Sequence, residues 1–316
     1  MASNMNKVAI IGCGSVGSTF AYALMLSGEA REIALIDVDR ERARGESMDL
    51  NHGANFVRPV NISATGYEGC RGAEVVVITA GAKQKAGESR LDLVRRNTEI
   101  FKDIIPKVRE HAKDAILLVV TNPVDILTYV TLKISGYPSE KVLGSGTVLD
   151  SSRLRYLVSD HAKVDARNVH AYIIGEHGDS ELPVWSNATI GGMRMVEYCP
   201  MCNAHCDREK VLGGIFEEVK NAAYKIIETK GATYYAIGLA LVKIVGAILR
   251  DENSVLPVST LISGYYGVED VCLSMPSLVN RSGVRKFLRL KLSGDEEVLF
   301  KKSAETLKDI IRQLKL

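Results

Sequence analysis

The apolar runs of this chain predict an α/β protein with a doubly wound parallel sheet, followed by a second, mixed α/β domain. Three observations carry that reading. Short β-branched runs alternate with helical stretches through the first half. A glycine-rich turn separates the first of these strands from its helix. After about Thr147 the texture changes to turns, a loop and long helical stretches.

Lys7–Ile11 is a short apolar run of the kind that forms a buried parallel strand. The turn Gly12-Cys13-Gly14-Ser15-Val16-Gly17 follows, then a helix over 18–27 (STFAYALMLS). Glu32–Ile36 is a second strand, ending at Asp37, and completes one βαβ unit. The pattern repeats with strands at 75–80 and 115–120 and a helix over 89–110 between them. Strands alternating with helices imply a parallel sheet covered on both faces. Right-handed crossovers make the doubly wound order, the Rossmann arrangement, its economical topology. Residues 1–147 are therefore expected to form a dinucleotide-binding domain and 148–316 a substrate domain.

In the second domain, Asp150 opens a helix over 150–162. A strand at 169–174 leads to turns at Gly175, Gly178 and Gly191-Gly192, then a loop through Cys206. Helices over 211–230 and 231–250 meet near Lys230-Gly231, and the one around 233–250 is expected to pack back toward the cofactor site. The stretch 293–313 reads as an amphipathic helix with Leu299, Leu307, Ile310 and Ile311 inward. No internal repeat or low-complexity segment interrupts the chain.

Composition excludes several classes of function. Forty basic against 38 acidic side chains leave +2 with no basic block, so nucleic acid and anionic membrane are poor partners. No stretch approaches the roughly 20 apolar residues of a membrane span. The short polar N-terminus runs straight into a strand and has no signal-peptide character, so a cytoplasmic location is expected. Cys13, Cys70 and Cys272 are isolated and read as buried thiols. Cys199, Cys202, His205 and Cys206 supply four candidate ligands within eight residues. Their spacing is crowded and lacks the paired CxxC pattern, so no metal is assigned and a loop with exposed thiols is expected.

A lone GxGxxG says little, but this one follows a strand and opens a helix, where backbone N–H groups can meet a pyrophosphate. Gly12 permits the tight turn, Gly14 the close approach of phosphate, and Gly17 the helix–strand contact; Val16 lies within the turn. Asp37, at the end of the second strand, can accept hydrogen bonds from a ribose diol and repel a 2′-phosphate, which selects NAD over NADP. FAD fits the fingerprint alone and loses because the rest of the chain supplies a proton-transfer site.

Reduction of a 2-oxo acid requires a proton for the oxygen, polarisation of the carbonyl and a grip on the carboxylate. His177, between Gly175-Glu176 and Gly178-Asp179, is the best-placed proton donor of the six histidines. Asp150 and Arg153 lie about one helical turn apart on nearly one face, offering a carboxylate to orient the ring and a guanidinium for substrate. Arg155 points roughly 200° away from Arg153. The polar segment 81–90 (GAKQKAGESR) follows a strand end, where ligands bind in such folds, and could close over substrate and deliver Arg90. Asn122, after the next strand, belongs on the same side.

These residues, in this order, resemble the L-lactate/L-malate dehydrogenase family. The resemblance covers about residue 7 to the C-terminus through VAIIGCGSVG, LIDVD, ITAGAKQKAGESRLDLVRRN, TNPVD, LDSSRLR, IIGEHGDSELPVW and KGATYYAIG. It implies NAD-linked hydride transfer, with His177 as acid/base, Asp150 as its orienting carboxylate, Arg153 as the two-pronged carboxylate clamp and Arg90 as carbonyl polariser. It also implies that Asn122 bonds near the nicotinamide and substrate oxygen, and that Thr233 and Ile237 line the methyl and nicotinamide faces.

Malate enzymes of this family carry arginine where this chain has Gln84. A neutral Gln84 would leave a second substrate carboxylate unpaired in a desolvated pocket, so pyruvate and L-lactate are the expected substrates, with malate or a bulkier 2-hydroxy acid as the alternative. Arg155 and His170 match the pair that binds fructose 1,6-bisphosphate in allosteric bacterial members, and a homotetramer is implied with them. The absence of the long N-terminal arm of vertebrate members fits the bacterial type. A non-catalytic NAD-binding protein is the reading from another class; it would not need His177, Asp150, Arg90 and Arg153 together.

Overall fold

In the computed structural model, which describes residues 6–83, 87, 89–202 and 207–314, the first half builds six parallel strands. They are β1 (Lys7–Ile11), β2 (Glu32–Ile36), β3 (Asn61–Ala64), β4 (Val75–Ile78), β5 (Ile116–Val119) and β6 (Val142–Gly144). Between them run α1 (Ser15–Ser27), α2 (Arg40–His52), α3 (Arg90–His111) and α4 (Val124–Ser135). The spatial order β3-β2-β1-β4-β5-β6 reverses direction between β1 and β4, opening a crevice at their carboxyl ends.

β4 (VVVI) and β5 (ILLV) are buried at every position because helices cover both faces. Along β1, Val8 and Ile10 belong to one apolar core and Ala9 and Ile11 to the other, as strand alternation requires. α3 presents Leu93, Val94, Phe101, Ile104, Ile105 and Val108 to the sheet at helical spacing, and Ser89 caps its first turn through the N–H of Asp92.

The second half begins with α5 (Val148–Ala162). The expected strand at 169–174 is broken into β7 (Val169–His170) and β8 (Ile173–Ile174), which pair in different small sheets. His170 is exposed while Ile174 is fully buried, so one alternation does not run through both. β8 pairs with β9 (Leu182–Pro183); β7 pairs with β10 (Thr189–Ile190), which pairs in turn with β11 (Met193–Arg194). Where a loop is expected, the backbone forms α6 (Met195–Cys202). His205 and Cys206 lie outside the described residues, as do the side chains of Cys199 and Cys202.

α7 (Arg208–Lys230) stops at Gly231, whose φ of 82° suits glycine, and α8 (Tyr235–Leu249) packs on α1 in the same core as β1. β12 (Ser254–Ile262), β13 (Val271–Asn280) and β14 (Gly283–Phe287) then return to the large sheet. β12 pairs antiparallel with β6 at Ser259 opposite Gly144, giving nine strands in all. The sheet therefore runs past the texture change near Thr147. The chain closes with α9 (Gly294–Arg312), started by a reciprocal capping box between Ser293 and Glu296. Leu307 is buried and Ile310 and Ile311 partly so, but Leu299 is 47% exposed. Phe300, Ser303 and Ala304 take the inward face instead, one step round the helix from Leu299. No helix among the described residues is long and apolar enough to cross a membrane.

Candidate active site

The glycine turn is shaped by contacts that leave no room for side chains. A Cβ on Gly12, at φ 103°, would lie 2.5 Å from the Ala80 nitrogen, and one on Gly17 would lie 1.9 Å from the Gly12 oxygen. Gly14 differs: nothing lies within 4 Å of a Cβ there, so it faces open space at the start of α1. It is the N-cap of that helix and offers no side chain to its free N–H groups. Asp37 braces the turn, accepting from Cys13 N at 2.6 Å and from Asp39 N at 2.9 Å. A cleft of about 770 Å³ runs from Gly12 past Asp37, Val38, Tyr67 and Ala80, with Val38 fully exposed at its rim. Uncapped helix N–H groups, an open glycine, a rim carboxylate and an apolar wall together fit a dinucleotide. Val16 and Ile237 both pack at the edge of the core that joins α1 to α8.

Beyond the other side of the crevice, α5 and the segment after β8 bring two sequence-distant groups together. His177 Nδ1 lies 2.6 Å from Asp150 Oδ2, and the other carboxylate oxygen, Oδ1, accepts from Arg153 Nη1 at 2.8 Å. Asp150 is 2% exposed. Burial alone would lower the proton affinity of His177, but the Asp150 charge and hydrogen bond outweigh it and raise the imidazole from 6.5 to about 9. Burial likewise works against the Asp150 charge, and His177 and Arg153 together hold its pKa below the usual carboxylate range. With Nδ1 turned to the carboxylate, Nε2 is the nitrogen available to a ligand.

A cleft of about 610 Å³ beside His177 is lined also by Arg90, Asn122, Glu181, Tyr224 and Ile227. Arg90, the first residue of α3, is paired with the buried carboxylate of Glu176, which also accepts from the Ser180 hydroxyl. Asn122 is exposed to the cleft while its carbonyl accepts from Asn97 Nδ2 at 2.9 Å. Arg153 and Thr233 line an adjoining pocket of about 520 Å³ under Tyr234 and Tyr235. Gln84 lies outside the described residues.

Arg155 is aimed elsewhere, as its helical position requires. Its guanidinium lies 5.1 Å above the Tyr172 ring and its Nε donates to the Ala171 carbonyl at 3.0 Å. His170, two residues before Tyr172, is exposed at the end of β7, and no hydrogen bond or ring contact among the described residues joins it to Arg155. Burial lowers the Arg155 pKa from its ordinary value.

Three acids at this site have no role assigned from the sequence, although Glu176 stands beside His177 in the Gly175–Asp179 motif. Asp125 accepts the His177 backbone N–H at 2.7 Å; Glu176 holds Arg90; and Glu181, 8% exposed, brings a third ligand-type atom within 4.8 Å of those of Asp150 and His177. Burial and the nearby Asp150 push Glu181 up to about 8. Asp125 carried a signal, since it is the one charge in the run VDILTYVTL. Nothing local to Glu181 marks it.

Comparison with known proteins converges on one family. A family model described as lactate/malate dehydrogenase, NAD binding domain, matches residues 6–144, and its alpha/beta C-terminal domain partner matches 147–315. The chain is 57% identical over 310 residues to an L-lactate dehydrogenase of Acetivibrio thermocellus, covering 98% of each. Among solved structures it is similar to the minor L-lactate dehydrogenase of Enterococcus mundtii in a ligands-bound form. That match has TM-score 0.96 and 43% identity, and covers 99% of this chain and 100% of the other. It is also similar to a lactate dehydrogenase from a Medee basin deep-sea metagenome library, with TM-score 0.94, 44% identity, and coverage of 98% and 99%.

Proposed function

The chain belongs to the lactate/malate dehydrogenase family, and from that premise we propose that it interconverts pyruvate and L-lactate with NAD(H). The observation that carries the reading is the single buried carboxylate of Asp150, shared between the imidazole of His177 and the guanidinium of Arg153. The Gly12–Gly17 turn and Asp37 would hold the dinucleotide, which would supply or take up the hydride.

The protein's own residues do the rest. Arg153 orients pyruvate by its carboxylate, which turns the carbonyl oxygen toward His177. His177, protonated at neutral pH, gives its Nε2 proton to that oxygen, and Asp150 keeps the ring in register and stabilises the imidazolium before the transfer. Arg90, paired with Glu176 at the edge of the cleft, sets its charge against the negative charge developing on the oxygen. Asn122 and Thr233 would bound the substrate, and Ile237 would lie toward the cofactor. Gln84, neutral where malate enzymes of the family carry arginine, brings no charge for a second carboxylate, which favours pyruvate over oxaloacetate.

The same reading extends to regulation. Arg155, whose guanidinium lies over Tyr172 rather than toward Asp150, and the exposed His170 are the residues we assign to the phosphates of fructose 1,6-bisphosphate across a twofold axis of a cytoplasmic homotetramer. NADH oxidation with pyruvate and with oxaloacetate, each with and without the bisphosphate, tests both parts. Oxaloacetate preference overturns the specificity reading. Activation that persists after Arg155→Ala and His170→Ala together overturns the regulatory one.

A further inference from the structure

We propose that Asp125 is a positioning residue for the reaction, locking His177 to Asn122 and to the returning strands as one unit; this rests on the reading of His177 as proton carrier. Asp125 is 2% exposed and sits in the first turn of α4, three residues after Asn122. Its Oδ2 accepts the backbone N–H of His177 at 2.7 Å. Its Oδ1 accepts the hydroxyls of Ser259 at 2.6 Å and Ser274 at 3.3 Å, from β12 and β13.

Ser274 contributes twice. Its backbone exchanges hydrogen bonds with Gly175, N to O at 2.8 Å and O to N at 3.0 Å, two residues before His177. The His177 segment is thus pinned by the backbone of β13 on one side and by Asp125 on the other. A one-residue slip of either contact would carry the imidazole off Asp150.

A carboxylate is an expensive way to accept three hydrogen bonds in the interior. No lysine or arginine among the described residues pairs with Asp125, and burial pushes its pKa up. The charge is held by three donors and by the N-terminus of α4. Its second effect follows from place. Together with Asp150 and Glu181 it surrounds His177 with acids, against Arg153 on α5, Arg90 on α3 and Lys220 on α7. Asp125 therefore both fixes the ring's backbone and favours its protonated form.

The test separates charge from shape. Asp125→Asn keeps the volume and removes the charge; Ser259→Ala keeps the carboxylate with one donor fewer. The protein is assayed for kcat and KM with pyruvate across pH, for NADH binding by fluorescence, and for Tm. The expected result for Asp125→Asn is NADH binding within about twofold of native, kcat/KM for pyruvate down about tenfold or more, and the alkaline limb moved to lower pH. Ser259→Ala lowers kcat/KM by less and leaves the limb in place, because the carboxylate with one donor fewer is still ionised at alkaline pH while its grip on the His177 segment is looser. If Asp125→Asn does not fold, the Ser259→Ala/Ser274→Ala pair carries the test, and a native kcat/KM for pyruvate there overturns the proposal. An Asp125→Asn protein with a lower Tm but the native limb and kcat also overturns it. Turnover surviving in His177→Asn would instead sink the reading of His177 itself.

Discussion

Replacing Asp150 by asparagine preserves size while removing the charge beside His177. In the native site, burial opposes the imidazolium, and the Asp150 charge and its 2.6 Å hydrogen bond overcome it to raise His177 from 6.5 to about 9. That difference is about 3 kcal/mol in favour of the protonated ring. Without the charge, burial remains and the ring returns to about 6.5 or below. The protonated fraction at pH 7 then drops from nearly all to about a quarter, and at pH 8 from about nine tenths to about three in a hundred. Pyruvate reduction starts from imidazolium, so kcat/KM falls about fourfold at pH 7 and about thirtyfold at pH 8 from protonation alone. Misorientation of the ring by an amide that donates where a carboxylate accepts adds to this loss. The assay is NADH absorbance decay over a range of pH, with L-lactate oxidation as the reverse check. Lactate oxidation needs neutral imidazole, so its ascending limb must move to lower pH in the same variant. An alkaline limb for pyruvate that stays near 9 in Asp150→Asn would refute the electrostatic argument.

The same ring has a stability signature. His177 binds its proton more tightly folded than unfolded, so its contribution is complete below about pH 6.5 and is lost as pH rises through about 9. Native Tm is expected to fall across that window more steeply than that of His177→Asn. Gly17→Ala forces a Cβ to within 1.9 Å of the Gly12 oxygen, so a loss of several kcal/mol or outright failure to fold is expected in thermal melts. Gly14→Ala meets no atom within 4 Å, so its Tm stays near native while NADH binding, read by fluorescence, weakens. Gln84→Arg is expected to shift the oxaloacetate-to-pyruvate ratio of kcat/KM by about a hundredfold or more, and a ratio unchanged in steady-state assays counts against Gln84 as the discriminator.

Much of this site was legible because its chemistry sits at strand ends and helix starts, which local patterns reveal. The glycine turn, Asp37, His177 and the Asp150/Arg153 spacing all follow from rules spanning fewer than two elements. Contacts between distant segments were not legible. Asp125 reaches Ser259 and Ser274 across 134 and 149 residues, and no period or motif encodes such a pairing. Strand 169–174 was read as continuous because its apolar run is continuous, yet two partners compete for it and split it. Hydropathy points Leu299 inward, while the buried face is that of Phe300, Ser303, Ala304 and Leu307, which includes a serine that hydropathy does not favour. The return of β12–β14 to the first sheet had no signal at all in the first half.

The β6–β12 junction bears on how this chain could be recombined with its relatives. A Cβ on Gly144 would lie 2.4 Å from Thr128 Oγ1 and 2.9 Å from Ser259 Cβ, and one on Gly146 would lie 2.5 Å from the Ser259 nitrogen. The two halves are therefore cut to each other's shape at the seam. A chimera that exchanges the first 147 residues inherits one side of that fit and must import Ser259 and Pro257 with it. A fragment ending there would expose the bare edge of β6, an open template for mispairing. A crossover in the turn between α4 and β6 keeps Gly144, Gly146 and Ser259 together, but it parts Ser259 and Ser274 from Asp125 and Gly144 from Thr128, so the imported α4 must carry the same acid and hydroxyl.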